Sequence, residues 1–174
     1  MRGVSWHEGC PLPLEQLARL ELSHHGFDGE PHTGVLVVDA AEAQRVEGIF
    51  RALFEARFPI RRMEPIEAFG GDDDASMAAD NTSAFNCRPV AGKKTFSQHA
   101  WGRAIDLNPR ENPYVRGEDV QPPRGRAFLD RAADLPGLLR EGGPAVRAFE
   151  SAGWKWGGRW RRSKDYQHFS VNGR

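Results

Sequence analysis

Ser97-Gln98-His99-Ala100-Trp101-Gly102-Arg103-Ala104-Ile105-Asp106-Leu107-Asn108 is the most informative stretch of this 174-residue chain. If 103–108 runs as a strand, its side chains alternate between two faces, so Ala104, Asp106 and Asn108 share one and Ile105 and Leu107 the other. The apolar face would pack on a core and leave the Asp106 face free to build a site. Gly102 tolerates the backbone angles of a sharp turn, which would let His99 and Asp106 converge on one point. An imidazole and a carboxylate held that way supply two of the three protein ligands of a catalytic zinc, whose N and O donors lie about 2.0–2.2 Å from the ion with a position left open for water.

A third ligand has to come from elsewhere in the chain. His168, in Asp165-Tyr166-Gln167-His168-Phe169-Ser170, is the best candidate, because a carboxylate stands three residues before it. Water on a metal has a strongly lowered pKa but still needs a base to take its proton. Asp165, held next to a ligand, would be near the metal's open face. Cys10 and Cys87 lack CxxC spacing, which argues against a thiolate zinc site. They are either one disulfide or two free thiols.

Outward from this stretch the chain reads as α+β, since strands and helices do not alternate regularly. The segment 11–22 carries Leu14, Leu17 and Leu20 and reads as a short helix. The β-branched run 33–38 reads as a strand. Asp39 reads as the N-cap of the next helix, with Glu42 three residues on completing a capping-box pattern. Ala43, Val46, Phe50 and Leu53 recur at helical spacing, and Pro59 ends that helix. A second strand is expected over 60–69, broken by Pro65, and a loop over 70–74. The segment 109–143 reads as mostly loop with a short helix near 126–133. Pro144 opens a helix ending near Gly153, and a last strand covers 167–171. The length fits one domain, 1–174, with an N-terminal extension over 1–31 packed on a catalytic core over 32–174.

The two motifs together resemble the signature of the D-alanyl-D-alanine carboxypeptidase and L-alanyl-D-glutamate endopeptidase family of metallopeptidases. Its first motif, Ser-x-His-x-x-Gly-x-Ala-x-Asp, is present as Ser97, His99, Gly102, Ala104 and Asp106, and the acid-x-x-His that follows as Asp165 and His168. The tract 80–88, with Ser83, and the tract 153–160, with Trp156, also resemble the endopeptidase branch. So does the use of Asp in place of Glu as the base. The resemblance implies a small antiparallel sheet carrying the metal, flanked by helices, the fold shared with the signalling domain of hedgehog proteins. It implies one Zn2+ per chain on His99, Asp106 and His168, with Asp165 as general base. Arg88 is the match for an arginine that stabilises the oxyanion. Ser97 would orient a ligand, and Ser83 and Trp156 would lie around the site or against substrate. The implied activity is hydrolysis of the stem peptide of peptidoglycan, at the L-Ala-D-Glu bond or, alternatively, as a D-alanyl-D-alanine carboxypeptidase. A non-hydrolytic, zinc-stabilised cell-wall-binding module is the alternative from another class.

The remaining features carry less. His7, His24, His25 and His32 have no carboxylate partner at convincing spacing and read as structural. Asp72-Asp73-Asp74 lacks the spaced ligands of an EF-hand and reads as a solvated loop. Trp154, Trp156 and Trp160 would either pack in the core or line a groove. Arg159-Trp160-Arg161-Arg162-Ser163-Lys164 reads as a basic loop near the site. The chain is 39% hydrophobic and 28% charged with zero formal net charge, so nothing pulls it toward nucleic acid. No apolar run approaches 18 residues, which excludes a membrane span, and a monomer is expected. Residues 1–7 contain no apolar signal-peptide core, although the implied substrate calls for an extracellular or wall-associated location.

Overall fold

The computed structural model describes residues 1–90 and 92–174. Its helices and strands are β1 (Leu17–His25), β2 (Pro31–Asp39), α1 (Ala43–Glu55), β3 (Arg62–Met63), α2 (Asp73–Ala78), β4 (Asn81–Thr82), β5 (Ala104–Asp106), β6 (Tyr114–Arg116), β7 (Asp119–Gln121), α3 (Pro144–Ser151), β8 (Lys155–Trp156), β9 (Lys164–Asp165) and β10 (His168–Ser170). This is an α+β architecture of small sheets, all antiparallel except the two-residue β3–β4 pair. Among the described residues, no helix is long and apolar enough to cross a membrane.

The long hairpin β1–β2 corrects the helix expected over 11–22. Leu14–Gln16 is only a 3-10 turn. From Leu17 the pattern is period two: Leu20 and Leu22 point inward, while Arg19 and Glu21 pair with each other at the surface. Three leucines fitted either period, and the β2 ladder, running from Leu17↔Asp39 to His25↔Pro31, decides for the strand. The boundary expected at residue 31 therefore falls at the turn of a hairpin whose first strand already contributes to the core.

Helices α1 and α3 cover one side of the sheets. Val46, Ile49, Phe50 and Leu53 of α1 are buried, as are Ala145, Val146 and Phe149 of α3. Phe149 stacks on Phe169 of β10 at 3.8 Å between ring centroids and meets Phe50 edge-on at 6.5 Å. That contact ties the helical layer to the strand carrying His168. Asp39 caps as expected, its carboxylate accepting from the Ala41 N–H at 3.0 Å. The capping box is incomplete, because Glu42 pairs with Arg45 instead.

Three further expectations change. The strand over 60–69 shrinks to β3; Pro65 cannot donate to a ladder, and Ile66–Phe69 closes into a 3-10 turn. The loop over 70–74 contains a helix start: the Asp72 carboxylate accepts from the Ala75 N–H, and Asp73 and Asp74 form the first turn of α2. The segment 109–143 holds the β6–β7 hairpin, and its helical turn is Pro123–Phe128 rather than 126–133. Cys10 and Cys87 form a disulfide across a sequence separation of 77, a loop closure that stabilises by about 4 kcal/mol.

Candidate metal centre

The site is built on a three-stranded sheet of order β5-β10-β8. Asp106 of β5 lies directly opposite His168 of β10, so their side chains share one face. Ser83 bridges Asp106 on its other side through a reciprocal pair of backbone hydrogen bonds. Beneath them, Ile105, Leu107 and Phe169 are fully buried. Asn108, expected on the Asp106 face, is turned away: its φ is 46°, and its amide bonds the backbone at Pro59 and Arg61.

His99 reaches the same point from a 3-10 turn, Gln98–Trp101. Ser97 caps that turn, its hydroxyl accepting from the His99 N–H at 3.3 Å. Gly102 ends it with φ 64°, and a Cβ there would sit 2.3 Å from the Asp39 backbone nitrogen. Turn and close approach both require glycine.

The three residues converge in a close triangle, with Asp106 facing each histidine through a different carboxylate oxygen. His99 Nε2 lies 3.1 Å from Asp106 Oδ2, His168 Nδ1 lies 3.0 Å from Asp106 Oδ1, and the two nitrogens are 3.3 Å apart. A tetrahedral ion with bonds of about 2.0–2.2 Å sets its donors roughly 3.3–3.6 Å apart, so small outward shifts fit zinc. The ring tautomers fit as well. His99 Nδ1 faces the Ala84 carbonyl at 2.5 Å and His168 Nε2 faces the Arg174 carbonyl at 3.1 Å. A carbonyl only accepts, so each ring carries its proton there and turns its other lone pair toward Asp106. All three residues are at most 6% exposed. Two lone pairs beside a buried carboxylate favour a cation between them.

The electrostatics agree. Burial disfavours the Asp106 carboxylate, but the charges and hydrogen bonds of the two histidines hold its pKa well below the usual range. Burial also opposes charge on His168, yet the hydrogen bond and charge of Asp106, with the charge of Asp165, push its pKa up to about 9, so without a metal the ring also holds a proton at Nδ1, which a cation bound there would displace. Among the described residues one other cluster brings three such donors together, His7 with Cys10 and Cys87; there both sulfurs are spent in the disulfide.

Asp165 lies on β9, opposite Tyr114 of β6. Its Oδ1 is buried with no hydrogen-bond partner among the described residues. Burial is the main cause that raises its pKa to about 7; the Asp106 charge adds to this, and His168 opposes it. Gly157 brackets base and ligand: a Cβ there would meet Asp165 Cβ at 3.0 Å and His168 Cβ at 3.3 Å.

The tryptophans divide. Trp154 and Trp156 are in the core. Trp156 works from beneath, its indole donating at 2.7 Å to the Tyr166 carbonyl between Asp165 and His168. Trp160 is the tryptophan on the site, its ring 5.4 Å from that of His168. Arg88 donates at 2.6 Å to Asp73, which lies in the first turn of α2 and not in a solvated loop. Burial is the main cause that raises the pKa of Asp73; the Arg88 charge opposes it, the Asp106 charge adds to it, and the His99 charge opposes it. The capping pattern of Asp72 before α2 is the sequence signal that would have drawn Asp73 out of the loop. His24 and His25 are buried; His24 stacks on His32 at 5.7 Å, away from the triangle.

No curated protein matches the chain, and no solved structure does. A family model does match, over residues 91–171, and its description is D-alanyl-D-alanine carboxypeptidase. That stretch carries all three donors of the triangle and the buried carboxylate beside them, and over it the chain is similar to the D-alanyl-D-alanine carboxypeptidase family of peptidases.

Proposed function

We propose that the protein is a zinc-dependent peptidase of the peptidoglycan stem peptide, with the metal on His99, Asp106 and His168. One observation carries the reading: a buried triangle of two imidazole lone pairs and a carboxylate, beside a second carboxylate whose pKa lies near neutrality. Zinc held there supplies a Lewis acid for the scissile carbonyl and lowers the pKa of water. Asp165 takes the proton of the attacking water at its unpartnered Oδ1 and delivers it to the leaving amine; a base poised near the working pH suits both transfers. Arg88, oriented by Asp73, offers a fixed cation to the developing oxyanion. Ser97 sets His99 through its hydroxyl, and Ser83 sets Asp106 through its backbone. Trp156 sets the strand ends bearing Asp165 and His168.

The bond we favour is L-Ala-D-Glu, because the tracts 80–88 and 153–160 and the aspartate base resemble the endopeptidase branch. The description of the matched family model favours the other reading, D-alanyl-D-alanine carboxypeptidase. Digestion of a stem pentapeptide with the zinc-loaded protein separates them. L-alanine released ahead of an intact D-Glu-initiated peptide supports the endopeptidase; free D-alanine overturns it in favour of the carboxypeptidase. Intact substrate in both assays leaves the wall-binding module. The disulfide supports a place outside the reducing cytoplasm, in keeping with a wall substrate.

A further inference from the structure

Beyond β10 the chain turns back over the metal ligand that β10 presents. The Asn172 carboxamide accepts from the Arg174 N–H at 3.0 Å. Trp160 donates its indole N–H to the Gly173 carbonyl at 3.0 Å. Gly173 has φ +79° and runs against the Lys155 side chain. These contacts fix residues 172–174 so that the Arg174 carbonyl takes the proton on His168 Nε2 at 3.1 Å.

That last contact decides which face of the imidazole is usable. A neutral ring has one proton and two nitrogens. His168 Nδ1 is 3.0 Å from Asp106 Oδ1, so the proton has a strong alternative home there, donating to a carboxylate. In that tautomer His168 and Asp106 satisfy each other and neither presents a free lone pair along the shared edge. The Arg174 carbonyl competes for the same proton from the opposite side of the ring. We propose that residues 172–174 are a strap belonging to the metal site: Arg174, through its main-chain oxygen, is a positioning residue that holds His168 in its metal-binding tautomer, and Trp160 is the pin that keeps the strap in place.

The inference rests on the reading of the triangle as a zinc site, and one experiment tells the two apart. Zinc affinity is measured by competition with a chromophoric chelator for the wild type, for a chain shortened to end at Val171, and for Trp160→Phe, which keeps a ring over His168 but lacks the indole N–H. Imidazole nitrogen shifts of His168 are read by NMR in the metal-free proteins at alkaline pH, where the ring is neutral. Loss of an outer hydrogen bond to a ligating histidine costs about 10–100-fold in metal affinity. That loss is expected in the shortened chain, with a smaller loss in the same direction for Trp160→Phe, and with the His168 proton moving from Nε2 to Nδ1 in both. If the wild type binds zinc and both variants bind it equally well with an unchanged tautomer, the strap is overturned and the zinc site stands. If the wild type binds no zinc, the underlying reading fails instead. Should the shortened chain not fold, Trp160→Phe decides by the same two readouts.

Discussion

Asp165 and Asp106 are carboxylates of one site with opposite fates. Asp106 lies between two imidazoles and stays ionised; Asp165 has one oxygen buried without a partner, and its pKa rises to about 7. The first suits a ligand, the second a proton carrier. Asp165→Asn should therefore lower turnover by about 10²–10⁴-fold, the usual contribution of a general base, while zinc content stays at the wild-type level; steady-state rates and metal analysis on the same preparation check both. At this scale the convergence of His99, Asp106 and His168 was legible, because metal ligands demand particular side chains and two of the three sit in one short motif. Asp73 was not, since its approach to Arg88 depends on where α2 begins. The Ala84 and Arg174 carbonyls were not either: every residue has one, and side-chain patterns say nothing about which are used.

Elements bring these residues together through pairing register. A one-residue slip of β10 against β5 would send His168 to the core face and Phe169 to the site. The stacking of Phe169 on Phe149 opposes that slip. Just after β8, which pairs with β10, Gly157 leaves no room for a side chain: a Cβ would lie 2.7 Å from the Asp165 carbonyl oxygen. Gly157→Ala should push β9 and β10 apart, reducing zinc affinity and turnover together, whereas Asp165→Asn reduces turnover alone; chelator competition beside rate measurements shows the difference. The strands around Asp106 and His168 were legible, as were α1 from its periodicity and α3 from Pro144 in its first turn. The hairpin strand β1 was not, because three leucines in a short window fit both periods and the deciding partner, β2, is a tertiary fact. The strands β6, β7 and β9 are two or three residues long, too short for any period to show.

Across the whole molecule, a buried ionic cluster joins the segment before β4 to the loop after β5. Asp80 and Glu111 are at most 2% exposed and face Arg61 and Arg110. Burial is the main cause that raises Glu111 to about 7, with a hydrogen bond donated to Asp80 and the charge of Asp80 adding to it and Arg110 opposing. The folded state thus holds a proton that the unfolded chain, with a glutamate near 4.5, releases earlier. Its stabilisation, on the order of 3 kcal/mol, is complete below the unfolded value and is lost as pH rises through about 7. Glu111→Gln supplies an amide N–H in place of that proton. Its melting temperature relative to wild type should therefore rise between about pH 5 and pH 8; a difference that stays constant over that interval would show that Glu111 holds no such proton.

The central claim is that this fold exists to hold one zinc ion on His99, Asp106 and His168. Elemental analysis of the protein after equilibration with zinc and removal of excess tests it directly. The account predicts about one zinc per chain in the wild type and loss of most of it in His168→Ala and in Asp106→Ala, with both variants folded. A folded wild type that retains no zinc, or variants that retain as much as the wild type, would contradict it.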